Sequence, residues 1–345
     1  MPKRRQRRLF IVYRETIAIT LSVVVVAATF FFIPGQKLAS LDTFDAEPVL
    51  AQPNLSMVQQ KALTATLQQV AHHFNAAPIN ARMDRWLKLI PGLNGVQLDI
   101  AQTLLHATQN AKTTELYFKQ VSPQVSNESF GAAPIYQANI HKRQMALMIN
   151  VAWGTEYVPQ ILQILKQNQV HATFFLDGSW TRKNQVVAKS IVDSGMEVGN
   201  HAYNHPMMSK ISRTQMITQI SKTNDIIRQA TGVQPSLFAP PAGDFNQMVV
   251  DVAQGLHMRT ILWTLDTIDW KKPSSGLILT RIVPKRRPGA LVLMHPTKPT
   301  VQALPTMIHQ LLKDGYQLVT VSQILSPVRN TPKTLAEALS MMAHS

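Results

Sequence analysis

The sequence predicts an α/β chain: a distorted (β/α) barrel preceded by a small α/β module and an apolar N-terminal segment. Two observations carry that expectation. From Ala146 onward, short β-rich apolar runs such as RTILWTLD (259–266) alternate with stretches of helical periodicity, among them 180–194 and 213–231, the pattern of βα units on a parallel sheet. The polar residues of interest fall at the ends of those runs, where parallel strands gather functional groups. An open sheet is the alternative. The 345 residues, 45% of them hydrophobic, allow one large domain and a smaller one, and argue against a disordered chain.

Residues 1–16 form a basic N-terminus with Lys3, Arg4, Arg5, Arg7, Arg8 and Arg14 against Glu15. Ile17–Ile33 (17–33) then holds no charge. As a helix it measures about 26 Å, enough for the hydrocarbon core of a bilayer. The basic flank predicts a cytoplasmic N-terminus and an extracytoplasmic remainder, a single-pass cell-membrane protein. A cleaved signal peptide, giving a secreted protein, is the alternative. The long apolar run and the poor small-residue site at 37–40 favour the anchor.

The chain has no cysteine, which removes thiol nucleophiles, cysteine-based zinc sites and disulfides. Its 34 Lys and Arg against 19 Asp and Glu leave a net charge of +15. That balance suits an anionic polymer or membrane surface. Nucleic acid is set aside, because no basic and aromatic binding motif accompanies the charge.

Residues 34–53 read as a linker. The module, 54–123, opens with a helix over 55–75, whose His72 and His73 are favourable cations at a helix C-terminus. A short helical stretch over 81–91, a Gly-Leu-Asn-Gly turn, a strand at VQLDI, a helix over 101–110 and a strand at ELYFKQV follow. Residues 124–145 read as a second linker, 146–326 as the barrel, and 327–345 as a tail with one helical run.

The barrel region resembles the polysaccharide deacetylase family (NodB homology, carbohydrate esterase 4-like), the fold of chitin, peptidoglycan and nodulation-factor deacetylases. The resemblance runs from Ala146 to Leu325. It rests on ATFFLDG (172–178), MEVGNHAYNH (196–205), FAPPAGDFN (238–246), WTLDTIDW (263–270), PGALVLMHP (288–296) and the segment 303–325, in family order. INVAWGTEY (149–157), with the anchor and the module, resembles the sporulation-associated, deacetylase-like membrane proteins of endospore-forming bacteria. Residues 78–123 resemble peptidoglycan-binding repeats of bacterial envelope proteins.

The resemblance implies a metal-dependent amidase that removes N-acetyl groups from cell-wall glycan. It implies a divalent, zinc-like cation held by two histidines and an aspartate, with a second aspartate as base and a histidine as acid. His201 and His205 match the metal pair, and His295 the acid. Asp269 and Trp270 match the Asp-Trp that tunes that acid and walls the sugar pocket. Asp266 reads as a turn or helix cap.

Three family positions are replaced. Ala152 stands for the base, Trp153 for the metal-binding aspartate, and Ala239 for the arginine that holds the base carboxylate. Alanine takes no proton and tryptophan offers no metal ligand. The paired loss leaves a neutral site, since removing one partner alone would strand a charge. The metal is therefore doubtful, with two protein ligands where catalytic zinc usually has three. Glu156, Asp177 and Asp244 are the acids available as replacements. Trp153 and Trp270 suit sugar faces, which makes a catalytically inactive glycan-binding protein the alternative function. A scaffold with a vestigial pocket is a third.

Overall fold

The computed structural model describes residues 55–109 and 114–343. The apolar segment 17–33 and the linker 34–53 lie outside the described residues. Among the described residues no helix is long and apolar enough to cross a membrane.

The module begins with the helix Met57–Phe74, started by a capping box in which Ser56 and Gln59 exchange side-chain and backbone hydrogen bonds. Strands β1 (Arg82–Met83) and β2 (Leu89–Ile90) follow as an antiparallel hairpin. This corrects the helix expected over 81–91. Asp84 Oδ1 accepts from the backbone N–H groups of Trp86 at 2.8 Å and Lys88 at 2.9 Å, and Leu87 has φ +54°. An aspartate that bonds its own following backbone offers the chain a turn in place of a helix. Strands β3 (Gly95–Leu98) and β4 (Phe118–Val121) pair antiparallel around the helix Ile100–Gln109.

The main sheet holds β5 (Gln144–Val151), β6 (Thr173–Leu176), β7 (Glu197–Asn200), β8 (Leu237–Phe238), β9 (Arg259–Thr260), β10 (Leu265–Asp266), β11 (Leu291–Met294) and β12 (Gln317–Val319). All pairings in it are parallel, in the order β10-β11-β5-β6-β7-β8-β9, with β12 also on β5. Every residue of β5 is buried, as expected of a strand covered on both faces. Helices Val158–Gln167, Arg213–Thr231, Gln247–Gly255, Ser275–Ile282 and Lys298–Lys313 alternate with the strands. The helix expected over 180–194 is broken at Asn184 into Gly178–Lys183 and Gln185–Asp193.

The sheet curls into a half-barrel and does not close on itself, since β9 and β10 end the order unpaired with each other. Within 124–145, expected as a linker, Gln144 and Met145 begin β5, and the segment 135–138 spans that gap. Ile135 bridges Ile261 beyond β9, Gln137 bridges Ala290 before β11, and the Thr264 hydroxyl donates to the Tyr136 carbonyl. These bonds use the backbone groups that split the run RTILWTLD into two short strands. Ile135 and Ala138 are buried with Ala81, Leu89, Met148 and Phe175, so the hairpin and the half-barrel share a core. The tail also packs: its helix Leu335–Ala343 buries Ala338 with Leu67 of the first helix.

Candidate functional site

Because the strands are parallel, the residues that follow β5, β7, β8, β10 and β11 emerge along one edge of the sheet. They line a cleft of about 390 Å³ that brings together Asn150, Ala152, Trp153, His201, His205, Ala242, Trp263, Asp266, Trp270, Leu293 and His295.

His201 is buried, and its Nδ1 donates to the Ala239 carbonyl at 2.7 Å. A carbonyl can only accept, so the Nε2 lone pair is left exposed to the cleft. Burial, followed by the neighbouring His205, pushes the imidazole pKa down to about 3. It is therefore neutral at physiological pH. The His205 ring sits edge-on at 5.2 Å from it.

Asp269 is fully buried at the end of the β10 segment. Its Oδ2 accepts from the His295 backbone N–H at 2.6 Å and the Thr300 hydroxyl at 2.5 Å, and its Oδ1 from His295 Nδ1 at 2.8 Å. The imidazole is thus fixed with Nε2 outward, as a general acid requires.

Trp153 is 44% exposed and lies parallel to the His295 ring at 5.9 Å between centroids. Gly154 makes this placement possible. It holds φ +73°, and a Cβ there would come within 2.1 Å of the Pro296 carbonyl oxygen. No side chain fits between the loops after β5 and β11, so Trp153 is delivered beside His295. Gly243 does the same for Trp263, whose ring would be 2.5 Å from an added Cβ.

Four non-glycine residues at or beside the cleft carry positive φ: Ala202 at +58°, His205 at +56°, Ala242 at +55° and Ile268 at +51°. Such residues cost on the order of 1–3 kcal/mol each and persist where surrounding structure over-determines them.

Two of the three replacement acids take structural roles. Asp177 caps Gly178–Lys183 by accepting from the Trp180 N–H at 2.9 Å, and burial raises its pKa. Asp244 accepts from the Ser209 N–H at 2.7 Å and hydroxyl at 2.8 Å. Glu156 is exposed. None of the three lines the cleft, whose single carboxylate among the described residues is Asp266. Burial raises the pKa of that group, and its Oδ1 accepts from the Ile268 N–H at 2.8 Å. Asn150, Ala242, Trp263, Asp266 and Leu293 line the cleft in addition to the residues assigned to it from the sequence. The signal for Asn150 was a lone amide inside an apolar strand.

The donor set does not fit the divalent cation that the resemblance implies. Two imidazoles fall one protein ligand short of a catalytic zinc set. Among the described residues no group of three or more His, Asp or Glu side chains is placed to hold a metal. The acid His295 is intact, and the base position is the methyl of Ala152.

Comparisons with known proteins identify the family. The family model for polysaccharide deacetylase matches residues 137–261. The chain is 41% identical over 302 residues to the uncharacterized protein YlxY of Bacillus subtilis, covering 87% of this chain and 95% of the relative. To a peptidoglycan-N-acetylglucosamine deacetylase of Bacillus cereus it is 33% identical over 186 residues, 52% of this chain and 68% of the relative. The crystal structure of a CE4 family pseudoenzyme from Bacillus anthracis matches with TM-score 0.70 and 44% identity, covering 78% of this chain and 96% of that one. A mutant of that pseudoenzyme with restored enzymatic activity matches with the same TM-score, 0.70, and 42% identity, over 78% of this chain and 99% of that one. From its half-barrel, its ordered motifs and these relatives, the chain belongs to the polysaccharide deacetylase family.

Proposed function

We propose that this protein binds cell-wall glycan in the family cleft without deacetylating it. One observation carries the reading: Trp153 occupies the family's metal-ligand position and lies parallel to His295. An indole there supplies a sugar-stacking face in place of a carboxylate. Trp270, 51% exposed, supplies a second. The named activity of the Bacillus cereus relative supports peptidoglycan as the polymer, and the Bacillus anthracis pseudoenzyme supports loss of catalysis in this branch.

The fold in this reading is a distorted (β/α) barrel left open, with the 135–138 segment in place of the missing pairing. The setting is the envelope of an endospore-forming bacterium, with 17–33 as a membrane anchor and sporulation as the process. Its support is the charge pattern of residues 1–33 and the resemblance of INVAWGTEY. Retention of the chain in the membrane fraction after a high-salt wash is expected; release by salt would overturn the anchor.

The test of the central reading is acetate release by the full-length protein from peptidoglycan and N-acetylglucosamine oligomers with zinc or cobalt added. A His201→Ala, His205→Ala double variant serves as baseline. The wild type is expected to match the baseline while still binding the oligomers in a titration. Acetate above baseline would show that a substitute base exists.

A further inference from the structure

We infer that the cleft takes an amino sugar bearing a free ammonium group, a de-N-acetylated glycan unit, in preference to its N-acetylated form. The inference rests on the glycan-binding reading above and names the sugar class.

The cleft is lined with acceptors and π faces. Asn150 is 3% exposed, and its Oδ1 has no hydrogen-bond partner although the residue lines the cleft. A buried orphan acceptor costs free energy until a donor reaches it. Asp266 uses one oxygen for the Ile268 N–H, and no hydrogen bond is made to the other. The two buried or half-buried histidines spend their Nδ1 protons on the Ala239 carbonyl and the Asp269 carboxylate. Their Nε2 atoms are therefore the ring nitrogens left toward the cleft. Trp153, Trp263 and Trp270 add indole faces, the strongest side-chain partners for a cation, and the Lys271 ammonium already lies 4.9 Å from the centroid of the Trp270 ring.

An ammonium brings three N–H donors and a positive charge to this lining. An acetamide brings a carbonyl oxygen that needs a donor or a metal opposite it, and the metal set here is one ligand short. The site has thus lost the groups that act on the acetylated sugar and kept those that suit the deacetylated one. Long-range electrostatics cannot produce the preference, because the chain's net charge is +15 and repels a cationic oligomer.

The experiment is a calorimetric titration of the full-length protein with the glucosamine tetramer and the N-acetylglucosamine tetramer, in neutral buffer of moderate ionic strength. The glucosamine tetramer is expected to bind about tenfold more tightly. Asp266→Asn keeps an oxygen for the Ile268 N–H and is expected to bring the two affinities together. Trp270→Ala, at an exposed position, is expected to weaken glucosamine binding without disturbing the fold. Equal or tighter binding of the acetylated tetramer overturns the sugar class while leaving a glycan-binding cleft. A preference that survives Asp266→Asn, or glucosamine binding untouched by Trp270→Ala, overturns the placement in this cleft. Failure of both oligomers to bind sinks the glycan-binding reading itself.

Discussion

On the β10–β11 side of the cleft, Asp269 is fully buried and accepts three hydrogen bonds from His295 and Thr300. On the β5–β8 side the matching family positions are Ala152, Trp153 and Ala239, and none of the three carries a charge. One side keeps a buried charge with all its donors, and the other has lost the charges and the partner arginine together. The difference follows from the cost of burial. A carboxylate whose donors remain is expensive to remove, whereas a pair removed together leaves nothing unpaired.

The comparison breaks most readily at Asp269. Asp269→Ala strands the His295 ring and the Thr300 hydroxyl, and is expected to cost about 3–5 kcal/mol in denaturant unfolding. A cost as small as that of a surface substitution would mean that this side is not structurally committed. Next comes the neutralised side. Ala152→Asp with Trp153→Asp supplies the missing ligand, and zinc affinity by titration is expected to rise about a hundredfold, near 2.7 kcal/mol. Unchanged affinity would show that His201 and His205 no longer converge. Gly154→Ala pushes the β5 loop off Pro296, and a loss of about 2 kcal/mol is expected in the same unfolding assay.

A smaller effect per step tests His201. Its folded pKa of about 3 lies below the reference 6.5, so the unfolded chain binds the extra proton between those values. Stability is full above pH 6.5 and falls as pH is lowered, by up to about 1.4 kcal/mol per unit. His201→Gln should flatten that dependence; an identical slope in the variant would place the effect elsewhere. The smallest change is expected from Trp270→Ala, within about 0.5 kcal/mol of wild type in stability, because half the ring is already in solvent. A larger loss would make Trp270 part of the core and not of a binding surface.

Much of this was legible in the chain. Alternating periodicity located the strands of the parallel sheet, and the helix over 213–231 occupies the residues expected of it. His201, His205, Asp269, Trp270 and His295 could be named because each follows an apolar run in a recognisable motif. The hairpin at 82–90 was not legible as such, since ARMDRWLKLIP has helical spacing and the turn depends on one Asp84 side chain. Nor was the role of 135–138, whose short irregular sequence gains its place only from bonds to Ile261 and Ala290.

The sequence by itself determined which groups were lost and which edge of a parallel sheet carries the remainder. Local patterning sets strand ends, and composition at a motif position needs no geometry. Only the tertiary structure decided that Trp153 faces His295, that Asp266 is the cleft's one acid, and that Asn150 Oδ1 is left without a donor. Those facts depend on the register of β5 against β11 and on the close approach of Gly154 to Pro296. They are contacts between residues distant in sequence, which no local pattern encodes.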